Sequence, residues 1–238
     1  MNKASRQSTF LPQQTTVDKA EGGHYISRTE CSFRKFNSIY AKMQLQNLDK
    51  NAAILKAAVE LIAENGFHGS PMSMIATRAG VGIGTIYRYF VNKDVLIKEA
   101  FNEIETRLNQ ALQQDYPVGQ SIRRRLDHYY IGLIRFFFRH PVEFKFLGQF
   151  YDSPYGVELR RDKIFAESTN ECGNETIKSL FDQGVAAGVI KDLPIVILFS
   201  LFIGSIIALT RDHILGFIEL DDLLLQRTAD ACWDAIKR

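Results

Sequence analysis

Residues 70–93 read SPMSMIATRAGVGIGTIYRYFVNK, and their spacing predicts two short helices joined by a tight glycine turn. Ser70 is expected as an N-cap, with Pro71 at the first helical position, where its missing N–H costs nothing. Met72, Ile75, Ala76 and Ala79 recur at helical spacing and make one apolar stripe. Gly80 stands where a helix closes in the left-handed conformation, and Val81 is placed to plug the corner. A second helix is expected over 84–90. Ile86 and Phe90, four apart, face inward; Thr85, Arg88 and Tyr89 face outward, with Tyr87 on the flank. Asn92 then caps a third helix. Two helices around a short glycine turn make a helix-turn-helix, whose second helix enters the major groove of DNA.

The outward residues suit that role. Thr85, Tyr87 and Tyr89 offer hydroxyls to phosphates, and Arg88 offers a fork for a guanine edge or a phosphate. Gly84 lets the backbone approach the groove closely. Lys93, in the first turn of the capped helix, is placed for a phosphate. Ser73 on the first helix is a further candidate contact. The GVGIG run is not a dinucleotide loop: it lacks the G-x-G-x-x-G spacing, and the preceding SMIATRA has a helical period instead of a strand.

The stretch IATRAGVGIGTIYRYFVNKDVL resembles the DNA-binding signature of the tetracycline-repressor (TetR) family, roughly I-A-x-x-A-G-V-S-x-G-T-[IL]-Y-x-[YH]-F-x-x-K-x-x-L. The match runs from about Leu48 to Leu96. Gly82 stands where the family often has serine, which removes one candidate phosphate contact. The resemblance implies a DNA-binding head, a larger helical body that binds ligand and dimerises, and repression relieved by a small molecule.

The chain has 238 residues, 46% of them hydrophobic, and a net charge of +2. The charge is uneven: residues 1–46 carry 7 Lys/Arg against 3 Asp/Glu, residues 47–93 carry 5 against 3, and residues 94–238 carry 17 against 21. The basic end coincides with the expected head. Cys31, Cys172 and Cys232 show no metal-ligand or disulfide spacing. No Ser/His/Asp, Cys/His or paired-carboxylate set stands out. The chain therefore reads as a non-enzyme with no metal or cofactor. Residues 1–30 lack an apolar run, so no leader is expected there and the location is read as cytoplasmic.

Three segments follow. Residues 1–46, rich in Gln, Ser and Thr, read as a disordered extension. Residues 47–96 form the helix-turn-helix domain, whose first helix, opened by Asp49, buries Ile54, Ala57, Ala58, Leu61 and Ile62 and stops at Gly66. Residues 97–238 form the helical body. Its helices are expected over 93–114 (buried stripe Leu96, Ala100, Ile104, Leu108, Ala111), 121–139, 142–151, 154–187, about 194–215 and 221–236. The fold class is all-α.

Two features of the body bear on function. Phe136–Tyr151 is dense in aromatic residues, and a pocket lined by Phe137 and Phe144, with His128, Arg135 and Gln149 as polar groups, would take an apolar or aromatic inducer. At least one of Phe136, Phe137 and Phe138 must face solvent or a partner. Residues 193–209, LPIVILFSLFIGSIIAL, sit at the lower length limit for a membrane span. A span would strand the amphipathic last helix, whose expected face is Leu224, Leu225, Thr228, Ala231, Cys232 and Ala235. The two helices read better as a four-helix dimer interface. The sequence thus predicts a homodimeric regulator that binds a pseudo-palindromic double-stranded DNA operator and is released by a small molecule, with no membrane partner. The alternative is a membrane-tethered or ligand-activated helical sensor acting as an activator.

Overall fold

The computed structural model describes residues 49–165 and 176–238; the expected extension over 1–46 lies outside them. The helices are α1 (49–65), α2 (Met72–Arg78), α3 (Ile83–Tyr89), α4 (Lys93–Gln113), α5 (Ile122–Arg139), α6 (Pro141–Tyr151), α7 (Pro154–Phe165), α8 (Ile177–Ala186), α9 (Ile195–Ile214) and α10 (Asp222–Ile236). Among the described residues the only β-type pairing is an isolated bridge between Ile190 and Lys237, so the chain is all-α.

The head is built on side chains with no solvent exposure: Ile54 and Ile62 of α1, Ile75 of α2, Ile86 of α3, and Phe90 just beyond it. Each contributes about 1.5–3 kcal/mol by leaving water. The α2–α3 corner closes on Gly80, at φ +67°. The Gly80 N–H bonds the Thr77 carbonyl (3.1 Å) and the Val81 N–H bonds the Ala76 carbonyl (2.9 Å), the paired bonds of a Schellman turn. Ser70 does not cap α2. Pro71 stands at the N-cap position, one residue before the first helical one expected for it, and the buried Ser70 hydroxyl donates instead to the carbonyl of Gly66, whose φ is +72°, at 2.8 Å.

Asn92 caps α4 as expected, accepting the Val95 N–H at 2.9 Å. Along α4 the buried residues are Leu96, Ile97, Ala100, Phe101, Ile104 and Leu112. The expected Ala111 is exposed. Leu112 takes its place because Gly132 of α5 leaves it room: a Cβ there would lie 2.7 Å from the Leu112 side chain. Residues 154–187 are not one helix. Thr176 and Ser179 form a capping box that starts α8 afresh. On α10 the buried face is Leu225, Ala229, Cys232 and Ile236, and the expected Ala231 and Ala235 are exposed. Phe136 and Phe137 are buried, while the half-buried Phe138 stacks on His213 of α9 at 3.7 Å. Its outer face thus has an intramolecular cover.

A polar clamp at Arg123 helps fasten α10 to α5. Arg123 lies 5.7 Å from the Trp233 ring centroid, reaches Asp127 at 3.6 Å and bonds Asp230. Burial pushes the Asp127 carboxyl above the usual carboxylate range, against the downward pull of Arg123. A carboxyl raised in the folded state destabilises the fold when charged, and that cost is relieved as pH falls through its folded pKa. Arg123→Ala should therefore cost on the order of 1–3 kcal/mol at pH 7, and less as the pH is lowered through the raised pKa of Asp127. Urea melts across that range check this. A penalty that grows on acidification would contradict the role given to Asp127.

Candidate functional site

The second helix of the turn motif, α3, is held by the two buried residues Ile86 and Phe90, which leaves its other side bare. Gly82, Ile83, Gly84, Tyr87 and Arg88 are exposed, and Thr85 is half-buried. Tyr89 is turned further inward than its spacing predicts. It is half-buried against the core, with its ring centroid 6.4 Å from that of Phe90. Ile83, to which the sequence assigns no role, is 47% exposed in the first turn of α3. The signal was present: a large β-branched residue between two glycines has no core position to fill, and an exposed aliphatic group suits a thymine methyl.

Gly84 faces open space, with nothing within 4 Å of a Cβ placed there, so its lack of a side chain is not a packing requirement of this chain. Ser73 is exposed on α2 and lines a shallow groove with Leu61, Met74, Thr77 and Arg78. Arg78 is committed to α1: its fork reaches Glu64 at 3.2 and 3.0 Å, and it lies 3.5 Å from Glu60. It fixes α2 on α1 and its charge is neutralised there.

Lys93 has a structural bond that the sequence did not announce. Its ammonium donates to the Phe67 carbonyl, tying the start of α4 to the turn after α1. Burial lowers its pKa from the usual lysine range, partly offset by Asp94. An ammonium has three donors, so this bond leaves capacity for a phosphate.

The candidate pocket residues do not converge in one place. Phe137 and Phe144 do meet, their centroids 5.4 Å apart between α5 and α6. His128 is half-buried, with Nε2 2.8 Å from the Leu112 carbonyl and its ring edge-on to Tyr116. Arg135 points outward and pairs with Asp222 at 2.7 Å, which corrects the expectation of an inward guanidinium. Gln149 lies against the Gly66 turn, its Oε1 3.1 Å from where a Gly66 Cβ would sit, and so touches the head.

Comparison with known proteins agrees with this architecture. The tetR family of bacterial regulatory proteins matches residues 54–100, and the tetracyclin repressor-like C-terminal domain matches residues 101–238. A fatty acid metabolism regulator protein of Bacillus subtilis is 40% identical over 81 residues, 34% of this chain and 42% of that protein. Among solved structures, a TetR family protein from Vibrio parahaemolyticus is 33% identical, covering 79% of this chain and 99% of its own, with a TM-score of 0.60. A TetR family regulator from Marinobacter aquaeolei, 23% identical over 82% of this chain and 98% of its own, has a TM-score of 0.71. With a helix-turn-helix head in front of a helical body and both halves matched, this chain belongs to the TetR family of transcriptional regulators.

Proposed function

We propose that the protein is a homodimeric repressor that binds a pseudo-palindromic operator through one α3 per subunit and is released by an apolar or aromatic small molecule. The observation that carries the DNA reading is the two-sidedness of α3: Ile86 and the adjoining Phe90 are wholly buried, while Ile83, Gly84, Tyr87 and Arg88 stand clear of the fold. Arg88 reads a base edge or a phosphate, Thr85, Tyr87 and Tyr89 supply hydroxyls, and Ser73 and Lys93 flank them as backbone contacts.

Dimerisation rests on α9. An 18-residue stretch of it has a mean hydropathy of 1.9, and Ile197, Leu201 and Ile207 remain exposed with Gly204 between them. A second copy related by two-fold symmetry would cover this face together with the exposed side of α10. The same helix is long and apolar enough to cross a membrane. The dimer is favoured because Leu198, Phe202, Ile206 and Thr210 on its other face are buried in the chain's own body. The cytoplasm is the compartment this reading requires.

The ligand reading rests on the paired rings of Phe137 and Phe144 and on the partial similarity to a fatty acid metabolism regulator. If only highly polar compounds released DNA, it would be contradicted.

Arg88→Ala should cost about 1–3 kcal/mol and relax one operator position. Lys93→Ala should weaken all sequences alike and lower the salt slope by about 1. Gly84→Ala should stabilise the fold by up to about 1 kcal/mol yet weaken operator binding, because the methyl group projects into the groove contact. Salt-titrated binding and urea melts read all three; unchanged DNA binding in every variant would overturn the assignment of α3. A Cβ at Gly204 would meet no atom within 4 Å and the position is exposed, so the Gly204→Arg subunit should fold and fail to dimerise. Light scattering that shows an intact dimer would remove α9 from the interface.

A further inference from the structure

Helix α7 is attached to the rest of the protein in an unusual way. Of its residues only Gly156 and Ile164 are buried, and Val157 and Phe165 are exposed. At its start it is jammed against α6, where a Cβ on Gly156 would lie 2.1 Å from the Phe150 carbonyl oxygen. α7 therefore cannot shift without carrying the end of α6 with it.

Leu159 and the Tyr155 ring also pack against the core, and a set of polar attachments runs along α4. The Tyr155 hydroxyl donates to Asp94 at 2.5 Å, and the Lys98 ammonium lies 6.0 Å from the Tyr155 ring centroid. Further on, the Lys163 ammonium bonds Glu105 and lies 5.5 Å from the Phe101 ring centroid. Asp94, Lys98, Phe101 and Glu105 follow one another on a single stripe of α4. Asp94 is the second residue of α4, beside the Lys93 that holds the Phe67 turn of the head. The two helices run in parallel, clasped at both ends by exposed bonds that each hold only about 0–1 kcal/mol. Such bonds break and re-form at little cost, whereas interdigitated apolar faces have discrete, well-separated arrangements.

We infer that α7 is a polar strap on α4 and that Tyr155 is a positioning residue for the DNA-binding head, passing a displacement of α6 and α7 to the first turn of α4 through Asp94. This rests on the proposal that the body's ligand state controls the head, and it adds the contact through which that control passes. A ligand that moved α6 would load the Tyr155–Asp94 bond and so pull on the first turn of α4.

The test is a double-mutant cycle on the full-length protein with operator DNA and no added ligand. Tyr155→Phe removes the hydroxyl and keeps the ring over which Lys98 lies. It should change the operator Kd by about threefold or more and speed amide exchange over residues 93–98. In the Asp94→Asn background, the cycle subtracts the general effect of the lost charge on DNA affinity. There the same Tyr155→Phe change should have less than half its effect on Kd, because the partner is gone. An equal factor in both backgrounds, or an unchanged Kd with exchange altered only within 154–165, would overturn the strap. Arg88→Ala run alongside separates this from the DNA reading: if it loses operator binding while Tyr155→Phe is silent, the head assignment stands and the strap falls.

Discussion

The structure depends on one rod, α4, being bonded to the head at its first turn and to the body along the rest. At the head end Asn92 caps the helix, Lys93 bonds the Phe67 carbonyl, and Leu96 and Ile97 are buried. The body side is mostly apolar, with Phe101 stacked on Phe150 at 4.3 Å and Leu112 set against Gly132. Arg107 adds an ion pair to Glu143 of α6 at 2.8 Å. A helix of 21 residues spans about 30 Å, so a small tilt at the body end becomes a displacement of several ångströms at α3. A ligand acts through such a rod only if it binds its two positions with different affinity.

The charge distribution supports the proposed action in pairs. Of its few cations, Arg78 is neutralised by Glu60 and Glu64, and Lys93 shares its ammonium with Phe67. A head with so little electrostatic attraction gains specific affinity by acting twice on one duplex, the second contact being intramolecular once the first is made. In the proposed dimer, that ties DNA binding to the apolar face of α9, far along the chain from α3.

The head was legible in the sequence because each of its decisions is local. Gly80 closes α2, Ile86 and Phe90 lie four apart, and Asn92 caps α4, all within 24 residues. The body was legible only as a set of helices. Its errors share a cause: helical spacing reveals an apolar stripe but not which neighbour leaves room for it. Leu112 is buried instead of Ala111 because Gly132, twenty residues later, makes the space. Arg135 turns outward because Asp222 of α10 waits there, and Gln149 reaches back to Gly66. The α8 cap leaves little mark in the sequence because Thr176 and Ser179 lack the Glu or Gln of the usual capping box. The Lys93–Phe67 bond joins residues 26 apart through a backbone carbonyl, which leaves no trace in residue type.

The central claim is that two copies of α3, set by two copies of α4, read one duplex together. Footprinting on a bound operator, combined with the mass of the complex, tests it directly. The expected result is two chains per site, or a multiple of two, with two protected major-groove segments related by two-fold symmetry and centred about 34 Å or a multiple of it apart. One chain bound to a single unsymmetrical segment would contradict it.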